Sequence, residues 1–295
     1  MSATIPDIAR VTPRSVTRAK RRNGRALGLW LTRVVLITIC FLTLLPAIWV
    51  VTDSFSPGSS AFSADLIPHA VTVQHYRDVI NGGFFTWMQN SIIVSGTVGL
   101  VSLLGNTLAA YAYSRLRFVG RKYGLLALFI IQVFPATMNV PIFYTLLSNL
   151  GLIDALPGLI LIFLGSSAFE IWLLKNYIDS IPRELDESGR IDGASSLQIF
   201  YRIVLPLIRP MLVTVFIWNF SGTYADVLYS SVVLQSPDHY TIMVGLFHLV
   251  VNGQYATNWA IFAAGAVMAA APILFIYLSL QRQLIAGLAA GSVKG

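Results

Sequence analysis

Long stretches without a charged side chain constrain this chain more than any other feature. Residues 34–51 are uncharged for 18 positions, 91–113 for 23, 123–153 for 31 and 259–280 for 22. A helix needs about 20 apolar residues to cross a hydrocarbon core about 30 Å thick. Residues 155–174 and 211–230 are of similar length and carry one acid each, Glu170 and Asp226. Backbone polar groups in lipid must be satisfied within the segment, so helices are expected throughout. With 56% hydrophobic and 11% charged residues, the composition excludes an ordinary soluble domain.

The basic residues are sorted by side. The 1–33 tail carries eight Lys and Arg against one acid, Asp7, and Arg115, Arg117, Arg121 and Lys122 follow the second apolar run. Of the 20 basic residues, 19 fall on segments that the positive-inside rule places in the cytoplasm, and only Arg77 falls outside. The expectation is an all-α polytopic membrane protein with both termini cytoplasmic. Its six spans are placed at about 34–51, 91–113, 123–146, 155–174, 211–230 and 259–280, with a cytoplasmic tail at 281–295. The net charge of +7 is then a topology signal and a contact for membrane lipid, not a nucleic-acid face. Cys40 is the single cysteine, so no disulfide forms within the chain. Phe84, Phe85 and Trp87 are expected at the outer interface. Pro135 and Pro141 interrupt the third span, as a simple kink or as a broken helix bordering a transport path.

One charge-rich segment between the apolar runs carries a spaced pattern, IPRELDESGRIDGASSLQIFYRIVLP over 181–206. Pro182 is suited to starting a helix, and Glu184, Asp186 and Glu187 crowd its first turns, where free N–H groups favour negative charge. Gly193 permits a sharp turn, and Ser195 or Ser196 can cap a second helix in which Leu197, Phe200, Ile203 and Val204 recur at helical spacing. Pro206 is expected to limit that helix. A bent element with one apolar and one charged side suits a groove on a soluble partner.

Glu187, Ser188, Gly189, then Gly193, then Ile203, Leu205 and Pro206 resemble in spacing the EAA loop of ABC-importer permeases. Asp192, Ala194 and Phe200 belong to the same loop. Ser188 and Gly189 stand where that pattern has alanines, and small size is kept. The last residues, QRQLIAGLAAGSVKG, resemble the tail of the maltose/maltodextrin-type carbohydrate permeases, the members with a short N-terminus. The resemblance implies the type I ABC-importer transmembrane fold in a bacterial or archaeal cytoplasmic membrane. It also implies two ATPase subunits, a second homologous permease chain, an extracytoplasmic solute-binding protein and a maltodextrin-like oligosaccharide as cargo. By the same resemblance, Glu187 pairs with an arginine of the ATPase, the second helix sits in the ATPase cleft, and the tail touches the ATPase dimer. Asn252, Gly253, Gln254 and Tyr255, a polar tip after the short apolar stretch 240–251, correspond to the loop that reaches the binding protein.

No GxxxxGK[ST] occurs, so ATP and Mg are expected on the partner ATPase and no cofactor on this chain. The four histidines lack metal-site spacing, no GxSxG appears, and no catalytic residue is expected. Glu170 is expensive facing lipid, and either pairs with Lys175 at the interface or lines the substrate pathway. Trp218, Asn219 and Tyr224 make the fifth span the most polar one, as sugar contacts or as glue between helices. An ion-coupled sugar carrier is the alternative reading, although such carriers favour midplane acids and repeated halves.

Overall fold

The computed structural model describes residues 18–57, 70–165, 168–251 and 255–292. No strand occurs among them. The chain divides into two units, Met1–Val50 and Val51–Gly295. The first holds most of α1 (Arg18–Asp53), whose Gly28–Asp53 part has a mean hydropathy of 2.7 and is long enough to cross a membrane. Cys40 is exposed on it.

The second unit opens with α2 (Gln74–Asn81) and α3 (Phe84–Arg115). At 32 residues, or about 48 Å at 1.5 Å per residue, α3 outruns the 91–113 expectation at its N-terminal end. The reason is packing: Phe84 and Trp87 are buried against Val79, Ile242 and Leu246 rather than lying at an interface, and only Phe85 is exposed.

Next come α4 (Arg121–Gln132) and α5 (Ala136–Asn149), bent by 95° at Pro135. Of the two readings, a kink or a broken helix, the 95° change of direction favours the broken helix. Then α6 (Leu156–Phe163) and α7 (Ala168–Asp179) meet at 53°. Sequence places a single span over 155–174. No proline marks this break, and Gly165 lies within it.

The charged segment forms α8 (Glu184–Ile191), α9 (Ser196–Ile199), a π-helical turn (Phe200–Val204) and α10 (Leu205–Leu207). Pro206 does not end the run: the wide π turn just before it loosens the i→i−4 ladder where the proline ring needs room. The bend comes at Ile208, where the 196–207 arm meets α11 (Arg209–Tyr224) at 78°. Sixteen residues make α11 only about 24 Å long, and the expected 211–230 span stops early, with α12 (Leu228–Val233) a separate turn.

A 3₁₀ turn (Pro237–His239) leads to α13 (Ile242–Val251), the short apolar helix expected outside the spans, which buries Ile242, Val244 and Leu246. The last helix, α14 (Tyr255–Ser292), includes the apolar stretch Trp259–Leu284. By length and composition, three described helices can cross a membrane singly, or six spans result if each bent pair counts as one.

Candidate coupling elbow and mid-bundle node

The elbow is built from local rules. Gly193 sits at φ +81°, in the left-handed region that turns the chain between α8 and α9. Ser195 caps α9: its hydroxyl accepts the Gln198 N–H at 3.3 Å, while Gln198 Oε1 accepts the Ser195 N–H at 2.7 Å. Gly189 explains why a small residue is kept there. A Cβ would lie 3.0 Å from Ile203 Cδ1 and 3.2 Å from Ile199 Cγ1, so the two helices close over a residue without a side chain. Ala194 and Ile203 are partly buried, and Phe200 is buried. Glu187, Ser188, Asp192 and Pro206 are exposed, and Leu205 is half-buried. Leu197, read as part of the apolar stripe, points outward with Tyr201.

The C-terminal end of α3 grips this elbow. Arg115 Nε lies 2.6 Å from Asp186 Oδ2, both side chains buried, and Arg115 Nη2 donates to the Ile181 carbonyl at 2.9 Å. One turn back, the Tyr111 hydroxyl donates to the Ser196 carbonyl at 3.1 Å and its ring packs on Phe200 with centroids 4.9 Å apart. Ser114 donates to Asp179 at 2.6 Å. Both arms of the elbow are thus bonded to one helix.

Sequence reasoning missed these anchors. Arg115 was legible only as a topology charge, and Asp186 as one of three acids in a helix start. The signal that could have separated Asp186 is its i,i+3 spacing to Gly189, since those two share the buried face of α8.

Deeper in the bundle, Glu170 on α7 is buried, and its Oε2 accepts from Asn106 of α3 at 2.6 Å and Asn219 of α11 at 2.8 Å. The interfacial pairing with Lys175 gives way to a different arrangement: Lys175 bonds Asp179 at 2.5 Å. Trp218 is 60% exposed, with its ring 5.7 Å from that of Phe169. Tyr224, read as a pathway candidate, is instead enclosed in the core, its hydroxyl donating to the Ala269 carbonyl at 2.9 Å. Asn252, Gly253 and Gln254 lie outside the described residues, and Tyr255 is described in its backbone alone.

Residues 103–289, a stretch containing both the elbow and the node, match the binding-protein-dependent transport system inner membrane components. The chain belongs to that family. This inner membrane component is 38% identical over 282 residues to the galactooligosaccharides transport system permease protein GanQ of Bacillus subtilis, covering 94% of this chain and 99% of GanQ. It is also 38% identical to the maltodextrin transport system permease protein MdxG of the same organism, over 88% and 95% of the two chains. Among solved structures it resembles a bacterial ABC transporter involved in the import of the acidic polysaccharide alginate, with TM-score 0.75 and 26% identity over 89% of this chain and 98% of that one. Family membership sets the ion-coupled carrier reading aside.

Proposed function

We propose that this chain is one permease subunit of a carbohydrate importer, carrying an oligosaccharide of the maltodextrin type and drawing its energy from two partner ATPase subunits through the 181–206 elbow. The supporting relatives are named for galactooligosaccharides and maltodextrin. In the proposed assembly a second, homologous permease chain completes the pathway, and an extracytoplasmic binding protein delivers the sugar to the outer side. A structural neighbour 20% identical to this chain is a bacterial alginate transporter in complex with an alginate pentasaccharide-bound periplasmic protein. Six spans with both termini cytoplasmic is the topology that fits this role and the charge distribution.

The observation that carries the reading is the grip of α3 on both arms of the elbow. A rigid-body shift of an ATPase dimer can move spans only if the docked element is stiff and tied to them. Gly193 and the Ser195–Gln198 box stiffen the elbow, and Arg115 and Tyr111 tie it to α3. Glu187, Ser188 and Asp192 are exposed beside the apolar Leu185, Ile191 and Leu197, a surface suited to an ATPase cleft. Trp218 and Asn219 sit on α11 where an aromatic face and an amide can meet sugar rings.

The test is Gly193→Val in the assembled importer reconstituted in liposomes. A β-branched residue at φ +81° costs roughly 1–2 kcal/mol and forces the elbow to reshape. Labelled maltodextrin uptake is expected to fall by about tenfold or more while ATP is still hydrolysed. Normal ATP-driven uptake in this variant would overturn the coupling role, and uptake of no oligosaccharide by the wild-type assembly would overturn the cargo assignment.

A further inference from the structure

Three aromatic rings crowd the open side of α7 and α11. Phe169, Trp172 and Trp218 are 42%, 42% and 60% exposed, yet they pack on one another: Phe169 stacks on Trp172 with centroids 6.1 Å apart and lies 5.7 Å from Trp218. Tryptophan favours the two interfaces of a membrane, where its N–H meets water. Trp218 instead lies nine residues past Arg209, about 14 Å along α11, beside the Asn219 bond to the buried Glu170. An interfacial belt therefore does not explain it.

Polar groups with spare bonding capacity adjoin the rings. Asn219 is held through its Nδ2, which donates to Glu170 at 2.8 Å, so its Oδ1 is a fixed acceptor to which no described residue donates. Ser95, Thr107 and Thr214 each donate to the carbonyl four residues back, a common way to satisfy a hydroxyl on a helix. Ser221 makes no such bond among the described residues. It lines a cavity of about 490 Å³ with Trp218 and Gly222, and a Cβ on Gly222 would meet nothing within 4 Å. Within one turn of α11 a ring face, an amide oxygen and a hydroxyl are thus offered together.

That combination matches a pyranose. Its slightly positive C–H groups sit against the negative face of an aromatic ring, while its hydroxyl rim needs donors and acceptors. A lipid chain would meet the rings and leave Asn219 Oδ1 and the Ser221 hydroxyl without partners. Charge narrows the sugar further. The side chain next to Phe169 is an acid, Glu170, and the one lysine of α7, Lys175, is bonded to Asp179. A uronate chain would find no counter-charge there.

We propose that Phe169 and Trp172 extend Trp218 into a three-ring ledge that carries a neutral oligosaccharide, with Asn219 Oδ1 and Ser221 bonding its hydroxyls. Phe169 and Trp172 are then specificity-determining residues. The inference rests on the carbohydrate-import reading and adds to it where the sugar stacks and why it is uncharged.

Saturation-transfer NMR on the assembled importer in nanodiscs, without its binding protein, tests the ledge with maltoheptaose as the probe. Irradiating aromatic protons is expected to transfer signal to the pyranose C–H protons, and a uronate heptamer should give none. Replacing one ring by an aliphatic chain is worth a factor of about two to ten, so Phe169→Leu/Trp172→Leu should cut the signal roughly tenfold. Phe169→Leu alone should cut it about threefold if the double variant fails to fold, and Trp172→Phe should keep it. Unchanged signal in the leucine variants, or equal signal from the uronate, would overturn the proposal. So would loss of the second permease chain from the purified leucine variants, which would make this face a protein contact. A wild-type importer that takes up labelled maltoheptaose yet shows no transfer would sink the ledge alone, whereas uptake of no oligosaccharide would sink the import reading with it.

Discussion

At its N-terminal end α3 holds neighbouring backbone with neutral groups, whereas at its C-terminal end it uses a buried ion pair. At the first, the Trp87 indole donates to the Pro237 carbonyl at 3.0 Å, Asn90 donates to the Asp238 and Tyr240 carbonyls at 2.9 and 3.0 Å, and Ser91 Oγ accepts the Ile242 N–H at 2.7 Å. At the second, Arg115 faces Asp186, with Tyr111 and Ser114 bonding Ser196 and Asp179. Neutral bonds of the first kind contribute about 0.5–1.5 kcal/mol each and can be lost singly. A buried pair behaves differently, because removing one partner leaves the other charged and desolvated. The C-terminal end of α3 is therefore the joint that costs more to open.

The largest effect should come from that joint. Arg115→Ala leaves Asp186 buried without its cation, and a loss of about 3–5 kcal/mol is expected, read as a lowered unfolding midpoint of the purified chain in mixed micelles. Arg115→Ala/Asp186→Ala should recover part of the loss, since neither charge is then stranded. Equal losses in the single and double variants would mean that the pair does not act as a unit, and the contrast between the two ends of α3 would disappear.

The elbow was legible in sequence because its rules are local. Gly193, the Ser195 cap and the bend at Pro135 each depend on a few adjacent residues, and each appears where the residues demand it. The break between α6 and α7 carries only Gly165 and two serines, and the bend at Ile208 falls between Pro206 and Pro210, whose spacing marks a bend without placing it. Burial was less legible still. Trp87 and Tyr224 have the composition of interface and pathway residues, yet both are enclosed by elements distant in sequence, around Pro237 and Ala269 respectively. The partners of Arg115 and Glu170 likewise come together only when α3, α7, α8 and α11 pack, so no spacing rule could pair them.

Glu170 tests the middle of the same helix. Its carboxylate accepts two amide donors through one oxygen, and a glutamine carbonyl can accept the same two bonds. Glu170→Gln is expected to keep stability and uptake near wild type, while Glu170→Ala leaves the Asn106 amide without this acceptor in a buried site, at a cost of about 1–3 kcal/mol. Both are read in the same unfolding assay alongside uptake. A Gln variant with altered sugar selectivity and intact stability would shift Glu170 from a packing role to the pathway.

The smallest effect belongs to Asp154, between α5 and α6. It sits at φ 55° ahead of α6 and accepts the Gln235 and Ser236 N–H groups at 2.8 and 2.9 Å as well as the Ser236 hydroxyl, with His239 Nδ1 at 3.3 Å. Desolvation pushes its pKa up, but the bonds from Ser236, Gln235 and His239 outweigh that and hold the carboxyl well below the usual carboxylate range. A group depressed on folding stabilises the native state at any pH above its unfolded value, about 3.9, and that contribution is lost as pH falls toward the folded value. The difference in unfolding midpoint between wild type and Asp154→Asn should therefore be flat from pH 7 to about 5 and shrink below about 4. A difference that instead stayed constant below pH 4 would mean that the Gln235 and Ser236 bonds do not favour the charged carboxylate, and the contrast with the Arg115–Asp186 pair would narrow.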